Sequence, residues 1–281
     1  MKLLTYQSDR GPRVSVLTAA GVEDVAPETG DACAVIAAGG APRTNGRPRP
    51  LASVRLLPPV AELRRPVIAV GLNYKKHADE STHRRKETPG TYPKIPVFFC
   101  KWMGSHNGPE GKIVHHAITK HLDYEAELVV VIGKRARDVS EGDAWSYIAG
   151  VTCGQDISDR EEQFRAFQQY TMAKSFDTYA PTGPYLVTLD ELDDRDNVPL
   201  GCYLNDEQVQ SGGTGNLIFS VPNLIAWTSR VCTLEPGDLL FTGTPAGVGA
   251  FRDPPRWLEP GIVVRTEIPG VGTMENPVTA G

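Results

Sequence analysis

The sequence lacks the features that mark membrane, secreted or nucleic-acid-binding proteins. No apolar run approaches the roughly 20 residues that a helix needs to cross a bilayer. The N-terminal segment MKLLTYQSDRGPRV lacks the apolar core of a signal peptide. Long runs of one charge sign are missing too, and the net charge of −5 does not favour nucleic acid or anionic membranes. We therefore expect a cytoplasmic protein.

Cysteine is also sparse. The five cysteines stand far apart, at positions 33, 100, 153, 202 and 232, and no C-x-x-C pair occurs. This spacing argues against a disulfide framework and against a structural zinc site, so we expect reduced thiols. Cys153 lies close in sequence to a candidate metal ligand, which leaves a role at that site open. A small buried side chain is the simpler interpretation.

Nucleotide-binding patterns are missing as well. The stretch FTGTPAGVG, residues 241–249, is rich in glycine but has neither the Lys-Ser/Thr ending of a P-loop nor a G-x-G-x-x-G pattern. Its backbone N–H groups could still bind another kind of anion. Gly243 and Thr244 are therefore candidate substrate-binding residues, and the alternative is a plain structural turn.

The composition, with 40% hydrophobic and 22% charged residues, is that of an ordinary globular protein. Residues 2–6, 13–17 and 22–25 read as short strands separated by turns. The polar stretch GGAPRTNGRPRP, residues 39–50, predicts a loop or linker. We place a boundary near residue 62, between a small β-rich N-terminal domain (1–62) and a larger domain (63–281).

The larger part predicts an α+β fold that is rich in strands, without regular βαβ alternation. Two stretches favour helices. One is DREEQFRAFQQYTMA, in which Phe164, Phe167 and Gln168 follow a weak helical spacing. The other is IFSVPNLIAWTSRVCTL, with Pro222 in its first turn. The face predicted for this helix comprises Leu224, Trp227, Thr228 and Val231. Towards the C-terminus, LEPGDLLF and LEPGIVVR predict two strands that follow the same Pro-Gly turn.

Acidic residues cluster before an apolar strand in DYEAELVVVIG. Glu125 and Glu127 are two apart, so in an extended chain they point to the same face, where like charges repel. A hard cation such as Mg²⁺ would make use of both carboxylates. Asp156, just after the strand YIAGVT, could supply a third ligand. Alternatively, Asp156 or Ser158 caps the following helix, but this leaves the glutamate pair unexplained.

Two basic side chains are candidates for catalysis. His77 and Glu80 are neighbours on a helix over KHADEST, and a carboxylate beside a histidine increases its basicity. The alternative is a solvated helix face. Lys174 could neutralise an enolate or a carboxylate, although most lysines are solvated. The adjacent His115 and His116 are interpreted as structural or solvent-facing.

The order and spacing of these motifs closely resemble the fumarylacetoacetate hydrolase family. The segments that carry the resemblance are GLNYKKHADE, PVFFCK, DYEAELVVVIGK, YIAGVTCGQDISDRE, KSFDTYAPTGPYLVT, QSGGTGNLIFSVPNLI and LEPGDLLFTGTPAGVG. Together they cover most of residues 66–249. Residues 1–60 are similar to the small N-terminal domain that many members carry.

The resemblance implies mixed β-sheets rolled into a barrel-like catalytic domain, in a homodimer. It implies Mg²⁺ or Mn²⁺ held by Glu125, Glu127 and Asp156, with Asp123 behind them or in solvent. It also implies a catalytic dyad of His77 and Glu80 on a lid that orders over the substrate, which we extend to Ile95. Lys174 corresponds to the family lysine near the metal, and the loop at Thr244 holds the substrate carboxylate.

The expected function is metal-dependent hydrolysis of a C–C bond in an acylpyruvate, a 1,3-diketone or a related 2-oxo acid. Decarboxylation of the oxaloacetate type and isomerase or hydratase chemistry are alternatives within the family. A non-catalytic carboxylate-binding scaffold is an alternative of another class. The unusual stretch CKWMGSHNGPEG places Trp102, Met103 and His106 where they could reshape the substrate pocket.

Overall fold

The computed structural model describes residues 1–26, 31–38, 42–82, 88–165 and 169–281. The strands in these ranges are, in chain order, β1 (Lys2–Ser8), β2 (Gly11–Thr18), β3 (Gly21–Ala26), β4 (Arg43–Arg49), β5 (Leu56–Leu57), β6 (Val67–Gly71), β7 (Val97–Lys101), β8 (His106–Asn107), β9 (Ile113–His115), β10 (Leu122–Asp123), β11 (Ala126–Ile132), β12 (Ile148–Gln155), β13 (Ser158–Asp159), β14 (Ala180–Val187), β15 (Pro199–Leu204), β16 (Glu207–Gly213), β17 (Leu239–Phe241), β18 (Val263–Ile268) and β19 (Gly272–Ala280). The α-helices are α1 (Ala32–Ala37), α2 (Lys75–Glu80), α3 (Arg160–Arg165), α4 (Tyr170–Ala173) and α5 (Val221–Val231). Short 3₁₀ helices occupy Leu51–Ser53, Met103–Ser105, Ala144–Tyr147, Leu189–Glu191, Thr214–Asn216 and Gly249–Phe251.

Most strands belong to two sheets. The larger sheet has the order β4-β3-β2-β1-β14-β12-β11-β17-β6-β7, with β5 beside β1 and β8 beside β14. The second sheet has the order β16-β15-β18-β19-β9, and β10 pairs with β13. The predicted strand-rich α+β fold is confirmed.

Strand β11 lies inside the large sheet, between β12 and β17, and is buried along its whole length. Alternate side chains enter different parts of the core. Leu128 and Val130 belong to the cluster that includes Cys202 of the second sheet. Val129 and Val131 belong to the cluster on the other face of the large sheet. Because side chains alternate along a strand, an apolar run with both faces covered produces this division.

The N-terminal residues form strands at the predicted places, as β1, β2 and β3. Strand β1 pairs with β14, with Lys2 opposite Val187 and Leu3 opposite Leu186, so the N-terminal strands continue the large sheet. The division into two domains near residue 62 stays a prediction.

The prediction of a loop for residues 39–50 is wrong over Arg43–Arg49, which form β4, whereas residues 39–41 lie outside the described ranges. In the described sheet β4 pairs only with β3, and its side chains are almost all exposed. Its polar composition therefore reflects an edge strand. Pro48 is tolerated there because an edge strand has N–H groups that no neighbour needs.

Helix α5 matches the second predicted helix, with the Ser220 side chain accepting from the Asn223 N–H and Pro222 in the first turn. Its predicted apolar face is partly wrong, because Val231 is 76% exposed and Trp227 is only partly buried. The side chains that α5 buries are Val221, Leu224, Ile225, Thr228 and Ser229. Across the described ranges, no helix has the length and hydropathy to cross a membrane.

The first predicted helix is represented by α3 and α4. Phe164 lies in α3, whereas Phe167 and Gln168 fall outside the described residues. Gln169 has ψ 83°, which is not helical, so α4 begins separately at Tyr170.

The two Pro-Gly turns near the C-terminus are confirmed. Gly237 precedes β17 with φ 91°, and Gly261 precedes β18 with φ 98°. Both values lie in the left-handed region that glycine adopts without a steric cost. The two strands nevertheless enter different sheets.

Candidate active site

Three carboxylates meet where β11 and β12 run side by side. In this antiparallel pair Ala126 faces Gln155, so Glu125 and Asp156 lie next to each other, and the Asp156 N–H donates to the Glu125 carbonyl over 2.9 Å. Glu127 follows on β11. One oxygen from each of Glu125, Glu127 and Asp156 lies within 4.8 Å of the other two, and all three residues are buried. The arrangement predicted from the sequence is therefore present.

The alternative role of Asp156 as a helix cap is not observed. The N–H groups of Glu161 and Glu162 in α3 donate to Oδ1 of Asp159, over 3.0 and 3.2 Å. Ser158 instead donates its hydroxyl to the carbonyl of Asp156, over 2.9 Å. Asp159 thus satisfies the start of the helix and leaves the Asp156 carboxylate to the acidic cluster.

Two buried lysines contact this cluster. Lys174 Nζ lies 2.7 Å from Glu125 Oε2 and 2.5 Å from Asp156 Oδ2. Lys101 Nζ contacts the other oxygen of Asp156 and donates to the Tyr179 carbonyl over 2.8 Å. Burial lowers the pKa of Lys101 to about 8, although Asp156 opposes this. Burial acts in the same direction on Lys174, but Asp156 and Glu125 outweigh it and raise its pKa.

Arg160 is the third buried cation. Its Nη2 lies 2.5 Å from Glu125 Oε1, its Nε lies 2.8 Å from Asp123 Oδ2, and its Nη1 donates to Gln163 over 2.7 Å. Burial disfavours ionisation of Glu125, yet Lys174 and Arg160 hold the pKa of Glu125 well below its usual value.

Asp123 is fully buried and does not lie in solvent. Its oxygens accept from the N–H groups of Tyr124, Gly249 and Ala250, over 2.8, 2.7 and 3.0 Å. Because the same carboxylate binds Arg160, Asp123 connects that arginine to the chain at Gly249 and Ala250. Its role is to fix these groups behind the three candidate ligands.

Charge in the cluster is not balanced. Four buried carboxylates, those of Asp123, Glu125, Glu127 and Asp156, lie with three buried cations, Lys101, Arg160 and Lys174. Within the described part of the chain, no lysine or arginine forms an ion pair with Glu127. Burial, together with Asp156 and Glu125, raises the pKa of Glu127 well above its usual value. A cation that binds here would relieve this repulsion.

Gly243 and Thr244 lie beside the carboxylates. The Gly243 N–H donates to Glu127 Oε2 over 2.7 Å, so it orients a candidate metal ligand. The Thr244 hydroxyl donates to the Ala126 carbonyl over 2.9 Å and accepts from Gln210 over 2.8 Å. Thr244 also lines the pocket, whereas the contact of either residue with a substrate stays a prediction.

His77 and Glu80 form the predicted pair on α2, which confirms the short helix over this segment. His77 Nδ1 lies 2.7 Å from Glu80 Oε1, and Glu80 Oε2 accepts the Gly247 N–H over 2.8 Å. A carboxylate can only accept here, so Nδ1 donates and Nε2 is left for proton transfer. The Phe251 ring lies 6.0 Å from the His77 ring.

His77 of the dyad lines the same pocket as Glu125 and Glu127 of the acidic cluster. The residues that form its lining are Val70, Gly71, Leu72, His77, Ser81, Glu125, Glu127, Arg160, Gln163, Phe164, Tyr170, Lys174, Thr244 and Phe251. The structure thus brings His77, two candidate metal ligands and Lys174 around one space, with Asp156 next to them. Their catalytic roles stay predictions.

Of the predicted lid, α2 and residues 88–95 are described, and residues 83–87 lie outside the described ranges. Asp79 connects the two described parts, because its Oδ1 accepts from the Gly90 N–H over 2.7 Å and its Oδ2 from the Tyr92 hydroxyl over 3.3 Å. Ordering of the lid by substrate stays a prediction.

Three residues expected to reshape the pocket do not line it. Trp102 and Met103 are exposed, and His106 Nε2 is 2.9 Å from the Thr182 hydroxyl, where β8 pairs with β14. Cys153 donates its thiol to the Gly272 carbonyl, which fits the interpretation of a small buried side chain. All five cysteines are free, as expected.

Sequence reasoning missed Lys101, Arg160 and Gln163. Lys101 ends an apolar strand, and a charged residue at the end of a buried strand is a signal that could have been used. Arg160 in SDRE looks like an ordinary residue of a solvated helix face, so its contacts depend on the fold of distant residues.

The donor set fits a hard divalent cation. Three carboxylates with clustered oxygens are the ligand type that Mg²⁺ and Mn²⁺ prefer. Glu127 is buried and has no ion-pairing cation among the described residues, which is the condition that a bound ion would satisfy. Glu125, Glu127 and Asp156 would hold such an ion.

Comparison with known families and structures agrees with this geometry. Residues 66–279 match the family model described as fumarylacetoacetate (FAA) hydrolase C-terminal, and residues 1–59 match the one described as Rv2993c-like, N-terminal. The chain belongs to the fumarylacetoacetate hydrolase family.

Its relatives include proteins with different named activities. Oxaloacetate tautomerase Fahd2a of Rattus norvegicus is 42% identical over 82% of this chain and 71% of the relative. The human oxaloacetate tautomerase FAHD2A is 40% identical over 82% of this chain and 71% of the relative. A fumarylacetoacetate hydrolase from Exiguobacterium antarcticum is 35% identical, with a TM-score of 0.86 and full coverage of both chains. A 5-carboxymethyl-2-hydroxymuconate delta-isomerase from Mycobacterium smegmatis is 34% identical, with a TM-score of 0.82 and the same coverage.

Proposed function

We propose that this protein is a divalent-metal-dependent enzyme that moves a proton at the carbon next to the oxo group of a 2-oxo acid. The observation that carries the proposal is that His77, held by Glu80, lines the same pocket as Glu125 and Glu127. A tautomerase and an isomerase among the relatives share this type of proton transfer.

The charges of the pocket favour an anionic substrate. A divalent cation in the acidic cluster would change its uncompensated charge from negative to positive, which a carboxylate can neutralise. When bound, Mg²⁺ or Mn²⁺ supplies Lewis acidity that polarises the 2-oxo group and the carboxylate beside it. Glu125, Glu127 and Asp156 would hold the ion.

The chain's own residues then have distinct tasks. Glu80 accepts a hydrogen bond from Nδ1–H of His77 and fixes the ring. Nε2 can then take a proton from the substrate carbon and return it. The resulting enolate carries negative charge, which Lys174 and Arg160 stabilise from the same pocket. The loop at Thr244 is proposed to bind the substrate carboxylate through backbone N–H groups, because the Thr244 hydroxyl already donates to the Ala126 carbonyl.

Hydrolysis of a C–C bond is the second candidate, and the similarity to a fumarylacetoacetate hydrolase supports it. In that reaction His77 takes a proton from water, the resulting hydroxide attacks a carbonyl of an acylpyruvate, and the C–C bond breaks. The electron pair of that bond leaves as an enolate, which takes up a proton. Decarboxylation of oxaloacetate needs the same enolate stabilisation but no attacking water. We further propose a cytoplasmic homodimer.

A panel of substrates with Mg²⁺ tests these functions. The assay follows ketonisation of enol-oxaloacetate by loss of the enol absorbance, and cleavage of acetylpyruvate by formation of pyruvate. We expect His77→Ala to lower the rate of proton transfer about 10²- to 10⁴-fold, the usual contribution of a positioned base. Glu80→Gln should lower it too, and His115→Ala, outside the pocket, should not.

The variants test whether one base serves both reactions. Loss of ketonisation and of cleavage in both dyad variants supports a shared base. Decarboxylation needs no base and should persist in these variants. Unchanged rates in both variants would show that the dyad is not the base. Binding of oxalate with Mg²⁺ but no turnover of any substrate would favour the non-catalytic scaffold instead.

A further inference from the structure

Leu72 has an unusual backbone conformation. It follows the last residue of β6 and has φ 55°, which lies in the left-handed region. A branched side chain such as leucine rarely adopts this conformation, because its Cβ crowds the backbone. Such conformations persist only where the surrounding structure enforces them, and they are frequent at functional sites.

Asn73 enforces the turn. Its buried side chain donates to the carbonyls of Thr242 and Phe219, over 2.7 and 3.0 Å, and accepts the Phe219 N–H over 2.8 Å. The backbone carbonyl of Asn73 accepts the Ile218 N–H over 2.7 Å. These four hydrogen bonds reach two distant segments of the chain, so the path of the backbone through Leu72 is fixed.

The fixed turn places Leu72 in the pocket lining, together with one other aliphatic and three aromatic side chains. Val70, Phe164, Tyr170 and Phe251 line the same pocket. The Tyr170 ring comes within 3.9 Å of the position that a Cβ on Gly71 would occupy, so this ring lies beside the strand end that Leu72 follows. Tyr170 is in turn stacked on Phe99, with 5.4 Å between ring centroids.

The cationic side chains of the lining already form ion pairs with a carboxylate. Among the described lining residues, the lysine and arginine side chains are those of Lys174 and Arg160, and both form ion pairs with Glu125. A substrate needs these groups for the end that carries the oxo and carboxylate groups. A second carboxylate at the other end would lose its hydration against apolar side chains, which is unfavourable without a compensating partner.

We propose that Leu72 is a specificity-determining residue that contacts the substituent of the 2-oxo acid and favours an apolar group over a second carboxylate. This rests on the proposed function, because it assumes that the oxo and carboxylate groups bind at the acidic cluster. The preferred substrates are then 2-oxo acids with an alkyl, aryl or acyl substituent. Oxaloacetate, which appears in the names of two relatives, carries the disfavoured second carboxylate.

Two ligands of equal chain length test the proposal. 2-Oxopentanoate and 2-oxoglutarate differ only in a terminal methyl group against a terminal carboxylate. Binding is measured by calorimetry on the full chain with saturating Mg²⁺, and pyruvate serves as the ligand without a long substituent. We expect 2-oxopentanoate to bind at least about tenfold more tightly than 2-oxoglutarate, within the range by which pockets discriminate such groups.

Substitutions at Leu72 identify the residue responsible. Leu72→Arg should reduce or reverse the preference, because it adds a cation beside the substituent, whereas Leu72→Met should retain it. Leu72→Gln is a neutral polar variant that should weaken binding of 2-oxopentanoate without strengthening binding of 2-oxoglutarate. Circular dichroism checks that each variant is folded. Pyruvate affinity should change little in any of them.

The results distinguish this proposal from the proposed function. If pyruvate binds and the wild type prefers 2-oxoglutarate, or if folded Leu72→Arg and Leu72→Gln leave the preference unchanged, the assignment of Leu72 is wrong while the proposed function stands. If none of the three 2-oxo acids binds in the presence of Mg²⁺, both are overturned.

Discussion

Asp123 and Arg160 form a fully enclosed ion pair, in which Nε lies 2.8 Å from Oδ2 and both side chains are at most 4% exposed. Arg160 also binds Glu125, so the pair joins a candidate metal ligand to the loop at Gly249. Arg160 keeps Glu125 as a partner when Asp123 is changed, so the cost of the change lies in the buried N–H groups of Tyr124, Gly249 and Ala250 that donate to Asp123.

Asp123→Asn should therefore lower the free energy of unfolding by about 1–3 kcal/mol, the range for leaving buried donors without an acceptor, because the asparagine NH₂ group would face N–H groups. Urea unfolding of the purified protein measures this. Glu161→Gln is the control, because Lys120 and Glu161 pair on the surface with 71% and 42% exposure. It should change stability by less than about 1 kcal/mol. Equal effects of the two substitutions would contradict this account.

Glu127→Gln should separate stability from metal binding. Gln keeps an acceptor for the Gly243 N–H and cannot ionise. Ionisation of Glu127 without metal is unfavourable, because burial, Asp156 and Glu125 raise its pKa. We expect the variant without metal to be at least as stable as the wild type. Mg²⁺ at about 100 times its Kd should stabilise the wild type by about 2.7 kcal/mol. The variant should lose most of this response.

Thermal unfolding with and without Mg²⁺ measures both effects. Asp156→Asn should likewise lose the response to Mg²⁺, and the exposed Glu259→Gln should behave like the wild type. The acidic cluster is not a metal site if Mg²⁺ leaves the melting temperature of the wild type unchanged and the protein keeps full activity in excess chelator.

His106 gives a pH-dependent contribution to stability away from the candidate site. Burial lowers its pKa from 6.5 to about 4, so the folded protein keeps the ring neutral where the unfolded chain already binds a proton. Because the unfolded state binds more protons in this window, stability falls as the pH decreases from about 6.5 to 4. His106→Gln should reduce the slope in that window and keep a hydrogen-bonding group near Thr182. The prediction would be contradicted if the free energy of unfolding had the same slope with pH in the variant and the wild type across this window.

The lid hypothesis is testable by hydrogen exchange. Oxalate with Mg²⁺ should slow exchange in residues 75–82 and 88–92, because a ligand beside His77 favours the state in which Glu80 accepts the Gly247 N–H. Glu80→Gln weakens that bond and should reduce the protection. Strong protection of the described lid residues in ligand-free protein would argue against a lid.

The sequence predicted the parts of this molecule that local pattern and like-charge spacing determine. Strands β1 to β3 and β11, helix α5 and the pair of Glu125 and Glu127 all follow from short-range signals. Spacing alone left Asp156 open between a metal ligand and a helix cap, and the family resemblance added it to the cluster. The edge strand β4 was missed because its polar residues face solvent and read as a loop.

The cations that surround the carboxylates were harder to predict. Lys101 and Arg160 are 55 and 35 residues from their partners Asp156 and Glu125 in the sequence. The position of Lys101 at the end of an apolar strand is a local sign of burial, but its partner Asp156 is set by strands that pair across the whole sheet. The same holds for Leu72, whose left-handed backbone depends on bonds from Asn73 to Phe219 and Thr242.

The pairing of β11 with β12 has a consequence for folding. A shift of one residue between these strands would turn Glu127 to the opposite face and separate Asp156 from Glu125. The three carboxylates therefore converge only when β11 and β12 pair in their native register. An ion that binds all three would stabilise the native register relative to shifted ones. Metal present while the chain folds would therefore favour correct pairing of β11 with β12 before any substrate binds.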